Sequence, residues 1–237
     1  MLDNDPRVLS RYARVAGVAM LLTTIFGALG EVILPGRIIV HANAAATAAN
    51  ILAHPELVRV SFAMYLVEGI CDVALAVIFY ILLAPVNRNL ALLSASFGIA
   101  SMVTYAVSES SFYAASLMLD DRAIAAGMSA FTGDQRAGLA MLAMRASATI
   151  AGLFFALYGI ASMLRGWLIA RSTYLPRALG VLLVIGGAGF FLRTATLLLA
   201  PSVSSDLMQV PMAVAAIVLM LWLLIRGVDA TRVPRET

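Results

Sequence analysis

The sequence predicts an all-α fold: a polytopic membrane helix bundle with six transmembrane helices, in one integral-membrane domain that covers residues 1–237. Hydrophobic residues make up 62% of the chain, and the mean hydropathy is +0.96. Only 12% of the residues are charged, against about 25% in a typical soluble domain. Six apolar stretches are long enough to cross a bilayer, which takes about 20 residues. The predicted spans cover residues 8–34, 57–84, 89–119, 137–167, 177–200 and 207–225.

Residues that cap or break helices delimit the first spans. Asp5 and Pro6 form a helix start, with the acid as the N-cap and the proline in the first turn. Because proline and glycine interrupt helices, Pro35-Gly36 is expected to end the first span. Pro55 opens the second span.

The later spans have similar boundaries. Pro85 ends the second span, and the third begins at Asn89. The fourth starts near Ala137, and Pro176 and Pro201 bracket the fifth. The sixth runs from about Leu207 to Ile225 and completes an even number of spans.

Arginine placement predicts the orientation of the bundle. The chain ends and the 2–3 and 4–5 turns hold ten arginines, whereas the opposite loops hold four and most of the loop acids. The positive-inside rule therefore places both termini in the cytoplasm.

Two of the opposite loops are long. Residues 36–54 contain an alanine-rich stretch, 44–53, that Asn43 would cap as a short helix, and residues 123–131 form a second candidate helix. Each helix either caps the bundle or lies at the headgroups as an amphipathic connector, and we favour the connector.

The absence of lysine excludes several chemistries. All sixteen basic residues are arginine, so a retinal or PLP Schiff base, a Ser-Lys dyad and a P-loop are ruled out. The arginines are spread over chain ends and turns, which does not indicate a nucleic-acid partner. The single cysteine, Cys71, cannot form an intramolecular disulfide.

Ionisable residues inside the spans are the strongest functional lead. Such residues are costly in a membrane and usually face the bundle interior or a wet cavity. Counted along helices at 1.5 Å per residue, the candidates from the second to fifth spans fall at a similar depth, which predicts one charged layer. The candidates are Glu68, Asp72, Glu109, Arg145 and Arg193.

Polar neighbours extend this candidate ligand-binding layer. Tyr105 precedes Glu109 by one turn, Ser108 adjoins it, and Glu31 near the end of the first span is a candidate for the rim. One interpretation is a polar cavity, open to the outer face, that binds or transports a small polar or amphiphilic molecule, a lipid or an ion. The alternative is an ion-pair network that only fixes helix packing in a structural or accessory subunit, alone, as a homo-oligomer or with a membrane-protein partner.

Catalysis and metal binding are less favoured. His41 and His54 both lie in the first long loop, outside any spacing typical of a zinc or di-iron site. No serine or cysteine in a span has a histidine partner there. We therefore expect no catalytic residue, no metal and no cofactor, and we rank an intramembrane enzyme last.

Small residues punctuate the spans and are expected to allow close helix packing. They include Gly27, Gly30, Gly152, Gly186, Gly187 and Gly189.

Four segments resemble the DUF4386 family of uncharacterised bacterial integral membrane proteins. They are residues 46–53 (ATAANILA), 85–93 (PVNRNLALL), 174–183 (YLPRALGVLL) and 221–228 (LWLLIRGV). They occur in the family's order along nearly the whole chain. The resemblance implies a six-helix inner-membrane protein and gives no activity.

Overall fold

The computed structural model describes residues 6–40, 43–120, 127–229 and 232, and the regular structure in these residues is helical. Six helical segments are long and apolar enough to cross a membrane, which confirms the predicted all-α, six-span fold. The helices are α1 (Pro6–Gly27), a π-helical turn (Ala28–Ile33), α2 (Leu34–Ile38), α3 (Ala44–Ala53), α4 (Pro55–Leu83), α5 (Arg88–Leu117), α6 (Gly133–Arg171), α7 (Arg177–Leu199) and α8 (Val210–Ile225), with 3₁₀ turns at Met128–Ala130, Pro201–Val203 and Asp206–Gln209.

The first span departs from its predicted end. It runs through Pro35 as far as Ile38, so the expectation that Pro35-Gly36 ends it is wrong. The π turn explains why: the Leu34 N–H bonds to the Leu29 carbonyl, five residues back. This wider turn precedes α2, whose first turn holds Pro35, where a missing N–H leaves no hydrogen bond unmade.

Residue contacts divide the chain into two compact units. Unit 1 comprises Met1–Leu22, Ile70–Met102 and Gly152–Thr237, and unit 2 comprises Thr23–Gly69 and Val103–Ala151. Helices α4, α5 and α6 supply residues to both units, and each unit has its own apolar core. The prediction of a single domain over residues 1–237 stays a prediction.

Glycines hold α6 and α7 at backbone contact in unit 1. A Cβ on Gly166 would lie 2.6 Å from the Gly180 carbonyl oxygen, and a Cβ on Gly159 would lie 2.6 Å from that of Gly187. The two pairs are seven residues apart on each helix, so both fall on one helix face. We call Gly159, Gly166, Gly180 and Gly187 the glycine seam. One of them, Gly187, is among the glycines that the sequence predicted to allow close helix packing.

Tyr174, between α6 and α7, ties three segments of unit 1 together. Its hydroxyl donates to the Leu82 carbonyl at 2.6 Å, and its own carbonyl accepts from the Asp229 N–H. The ring is 4% exposed, and this burial raises the pKa of the Tyr174 hydroxyl. Gly227, in the left-handed region at φ +67°, ends α8 and turns the chain toward Asp229.

The short helix α3 caps unit 2. Thr47, Ala48 and Ile51 are buried, and the last two share a core with residues of α2, α4, α5 and α6. Hydrogen bonds from Thr47 to Val40 and from Asn50 to Ile38 fix α3 against the end of the first span. These contacts support the alternative in which this segment caps the bundle, and its place at the headgroups stays a prediction. The second candidate helix, residues 123–131, lies partly outside the described residues, and a 3₁₀ turn covers Met128–Ala130.

Candidate functional site

Three carboxyl groups and a tyrosine hydroxyl lie near one another inside unit 2. The Glu31 carboxyl lies within hydrogen-bonding reach of both the Glu68 carboxyl and the Tyr105 hydroxyl. The charges of Glu31, Glu68 and Glu109 all act on Tyr105, and that of Glu31 acts on Glu109. We call Glu31, Glu68, Tyr105 and Glu109 the acidic cluster.

Backbone geometry places two of these acids. Glu31 sits in the π turn, a feature often found at functional sites. Gly27 precedes it, and the Glu68 carboxyl lies where a side chain on Gly27 would begin, because a Cβ there would meet Glu68 Oε1 at 2.8 Å. The buried Ser61 hydroxyl donates to the Gly30 carbonyl, which fastens α4 to the π turn next to the acids.

Aromatic rings adjoin the acids on the same helices. The Tyr65 and Tyr105 rings meet edge to face with their centroids 5.2 Å apart, and both are buried. Phe62 continues the group, 5.9 Å from the Tyr65 ring centroid. Tyr65 lies one turn before Glu68, and Tyr105 one turn before Glu109, so rings and carboxyls share helix faces.

The described arginines of unit 2 form no ion pair with these acids. Arg37, Arg59 and Arg145 are exposed, and Arg136, near the start of α6, is half-buried. In the part of unit 2 that the structure describes, none of the four forms an ion pair with a member of the acidic cluster. A second oxygen of Glu31, Oε1, is buried and has no hydrogen-bond partner there.

The expected position of Arg145 in a buried charged layer is wrong. Its side chain is exposed on α6, whereas Ala140, Met144 and Ser147 point into the unit. Helical rise gives a depth but not a direction around the helix. The apolar stretch after Arg145 covers residues 146–164, about 28 Å of helix and close to the bilayer core thickness of about 30 Å. We therefore expect Arg145 to lie near one edge of that core, where an exposed arginine reaches the headgroups.

Two other predicted residues, Arg193 and Ser108, have partners outside the acidic cluster. Arg193 belongs to unit 1 and donates to Asp206 through Nε and Nη2, at 3.1 and 2.8 Å. Asp72, half-buried, also belongs to unit 1. Ser108 lies in unit 2, but its hydroxyl donates to the Ser147 carbonyl at 2.9 Å and thereby joins α5 to α6. Of the predicted layer, the acidic cluster contains Glu68, Tyr105 and Glu109, and one layer across both units stays a prediction.

One of three comparisons with known proteins finds a match. The sequence pattern of a family described as a domain of unknown function, DUF4386, matches residues 15–227. The chain belongs to the DUF4386 family. No curated protein and no solved structure is significantly similar to it. The family match and the six spans together establish a multi-pass membrane protein.

The acidic cluster of this DUF4386 protein is suited to binding a proton or a cation. An ionised carboxylate only accepts hydrogen bonds, so two carboxyls within hydrogen-bonding reach need a proton between them. A positive ligand removes that need by balancing the charge directly. Over residues 6–40, 43–120 and 127–229, no group of three His, Cys, Asp or Glu side chains is arranged to hold a metal ion.

Sequence reasoning about this DUF4386 chain missed one buried charge and undervalued another. Arg165 was grouped with the arginines that orient the bundle, yet its side chain is 5% exposed and stacks on the Phe79 ring, 4.4 Å from the centroid. Arg165 stands at the end of an apolar stretch, where arginines are usually exposed, so the sequence does not indicate its burial. Glu31 was placed at the rim, although it lies within hydrogen-bonding reach of Glu68 and Tyr105. The glycines beside it, Gly27 and Gly30, were interpreted only as packing positions, although they are the sequence signal for a close approach of α4 there.

Proposed function

We propose that this protein binds a small organic cation, an ammonium compound, at the acidic cluster, and carries it in or across a bacterial inner membrane. The observation that carries the proposal is the position of Tyr105 among Glu31, Glu68 and Glu109, in helices long enough to span the bilayer. Three acids grouped in this way favour a positively charged partner.

The aromatic rings support an organic cation over a bare ion. Tyr65, Tyr105 and Phe62 offer π-faces and edges beside the carboxyls. Quaternary and alkyl ammonium groups are recognised by such combinations of aromatic rings and negative charge. A metal ion would instead need several oxygen ligands converging at 2–2.6 Å, which the described carboxyls do not provide.

Binding of benzyltrimethylammonium to the purified full chain in detergent tests the proposal. We expect saturable binding by calorimetry in the wild type. Loss of one charged contact costs about 1.5–3 kcal/mol, so Glu68→Gln and Glu109→Gln should each bind about 10- to 100-fold more weakly.

Glu56→Gln is the matched control. Glu56 lies on the same helix as Glu68, but its side chain is 63% exposed and paired with His54. This variant should bind as the wild type does. No saturable binding by the wild type, or equal losses in Glu56→Gln and Glu68→Gln, would refute a ligand site at the acidic cluster.

A non-catalytic structural or accessory subunit is the second candidate. The Arg193–Asp206 ion pair and the Ser108–Ser147 hydrogen bond favour it, because they use predicted site residues in helix packing. Under this alternative, Glu68→Gln lowers thermal stability while the wild type takes up no ammonium compound, and the protein co-purifies with a partner subunit.

A further inference from the structure

Glu31 and Glu68 form a pair of carboxyl groups between the first span and α4. The Glu31 carboxyl lies within hydrogen-bonding reach of the Glu68 carboxyl. Backbone geometry independently gives the same position, because a Cβ on Gly27 would meet Glu68 Oε1 at 2.8 Å, and Gly27 lies one turn before Glu31 on the same helix face. The hydrogen bond from Ser61 to the Gly30 carbonyl holds the two helices together beside these contacts.

Such a pair of acids shares a proton. An ionised carboxylate only accepts hydrogen bonds, so a hydrogen bond between two carboxyls requires an O–H on one of them. Two carboxylates held this close also repel each other, and one of them keeps its proton when no positive charge is near. The chain has no lysine, and the described arginines of unit 2 form no ion pair with either acid.

Tyr105 favours Glu68 as the acid that carries this proton. The Tyr105 hydroxyl lies within hydrogen-bonding reach of Glu31, and a hydroxyl donates most strongly to an ionised carboxylate. Glu31 then accepts hydrogen bonds from Tyr105 and from the protonated Glu68. The other Glu31 oxygen, Oε1, is buried and has no hydrogen-bond partner in the part of unit 2 that the structure describes. The pair therefore offers a negative oxygen on Glu31 to a cation and a removable proton on Glu68.

Other titratable and charged groups lie on the helices around the pair. On α5 these are Tyr105 and Glu109, and Glu109 interacts with the pair through its charge. On α4, the Tyr65 ring contacts the Tyr105 ring. On α6, Arg136 and Arg145 form no ion pair with these acids. Glu109 thus adds negative charge that favours a cation, while the shared proton belongs to the other two acids.

We propose that an organic cation and the proton shared by Glu31 and Glu68 compete for the acidic cluster, so that the protein exchanges one proton for each cation it binds. The inference rests on the proposed ammonium site and names the ion to which that site is coupled. When the cation enters, the O–H bond of Glu68 breaks, its electron pair stays on the carboxylate oxygen, and the proton passes to water. One positive charge enters as another leaves, and by linkage each ion weakens the binding of the other.

Calorimetry of benzyltrimethylammonium binding in two buffers counts the released protons. This quaternary ammonium has no N–H, so every proton that appears on binding comes from the protein. The buffer takes up that proton, and the observed binding enthalpy then differs between phosphate and Tris, whose protonation enthalpies are unlike. For the wild-type full chain in detergent near neutral pH, we expect about one proton released per cation bound.

Two variants with similar losses of affinity identify the source of the proton. Glu68→Gln removes the acid that carries it, so this variant should bind about 10- to 100-fold more weakly and release no proton. Glu109→Gln is the matched comparison, because it should lose affinity to the same extent but keeps the pair. We expect Glu109→Gln to release about one proton per cation, as the wild type does.

The exchange and the ammonium site fail in different ways. Saturable binding by the wild type with equal enthalpies in both buffers would overturn the exchange and leave the ammonium site intact. Proton release that persists in Glu68→Gln and disappears in Glu109→Gln would assign the proton to Glu109 and also overturn the exchange at the pair. No saturable binding by the wild type would overturn both proposals.

Discussion

The Glu68 carboxyl occupies the space that a side chain on Gly27 would need. A Cβ on Gly27 would lie 2.8 Å from Oε1 and 3.1 Å from Cδ of Glu68. Gly27→Ala therefore moves this carboxyl away from Glu31 while adding no charge. We expect ammonium binding to weaken about tenfold, which corresponds to about 1.4 kcal/mol, as measured by calorimetry. Gly36→Ala, where a Cβ meets no atom within 4 Å, should bind normally; equal binding by both variants would separate Gly27 from the site.

The glycine seam leaves no room for a side chain between α6 and α7, so we expect any larger residue there to destabilise the protein. In Gly166→Ala, the new Cβ would lie 2.6 Å from the Gly180 carbonyl oxygen and 2.8 Å from the Val184 nitrogen, both backbone atoms that cannot move alone. Such overpacking costs about 1–3 kcal/mol, measured as a loss of unfolding free energy in detergent.

Gly138→Ala on the same helix is the matched control for the seam. A Cβ there meets no atom within 4 Å, so alanine should stabilise the helix by about 0.5–1 kcal/mol. Similar effects of the two substitutions would show that helix propensity, and not contact between backbones, governs the response.

Because Ser108 is hydrogen-bonded to Ser147, we expect Ser108 to contribute to helix packing and not to ligand binding. Ser108→Ala removes the hydroxyl that donates to the Ser147 carbonyl at 2.9 Å. Hydrogen bonds between membrane helices contribute about 0.6 kcal/mol on average, so a small drop in Tm is expected. Ammonium binding should be unchanged, and a tenfold loss in calorimetry would return Ser108 to the ligand site.

Tyr174 predicts how stability changes at alkaline pH. Burial raises the pKa of its hydroxyl in the folded state above the unfolded value of about 10. Its contribution is therefore complete below pH of about 10 and is lost as the pH rises from there toward the folded pKa, because the unfolded state then gives up the proton first.

Thermal unfolding between neutral and strongly alkaline pH measures this effect. Tyr174→Phe should lower the Tm at neutral pH, since the 2.6 Å hydrogen bond to Leu82 is lost. It should also reduce the decrease in Tm that the wild type shows as the pH becomes alkaline. The control is Tyr80→Phe, which alters a half-buried ring near Arg88. This variant should show the same decrease in Tm at alkaline pH as the wild type. An unchanged pH profile in Tyr174→Phe would assign the alkaline transition to another group.

The sequence was sufficient for the fold because membrane spans follow from local composition. Six helices were found near their predicted positions, since length and apolarity alone decide whether a segment crosses a bilayer. The end of the first span was missed because the π turn before Pro35 depends on contacts with α4, including the bond from Ser61 to Gly30. Such contacts are not encoded in local composition.

The site was predictable only where two residues share a helix face. Tyr105 and Glu109 are four residues apart, and the structure keeps them together beside Glu68. Arg145 and Arg193 matched in depth, but depth carries no information on rotation about the helix axis or on local partners such as Asp206. Arg165 was missed for the same reason, because only the packing of Phe79 and Gly98 against it shows its burial.

The glycine seam has a consequence for how the protein is made. The helices it joins are consecutive in the chain, with five residues between Arg171 and Arg177, and their contact needs no other span. Pairing of neighbours in sequence closes a short loop and is fast. We therefore expect α6 and α7 to leave the translocation machinery as a preassembled hairpin, on which α8 then docks through Gly186 and Met212.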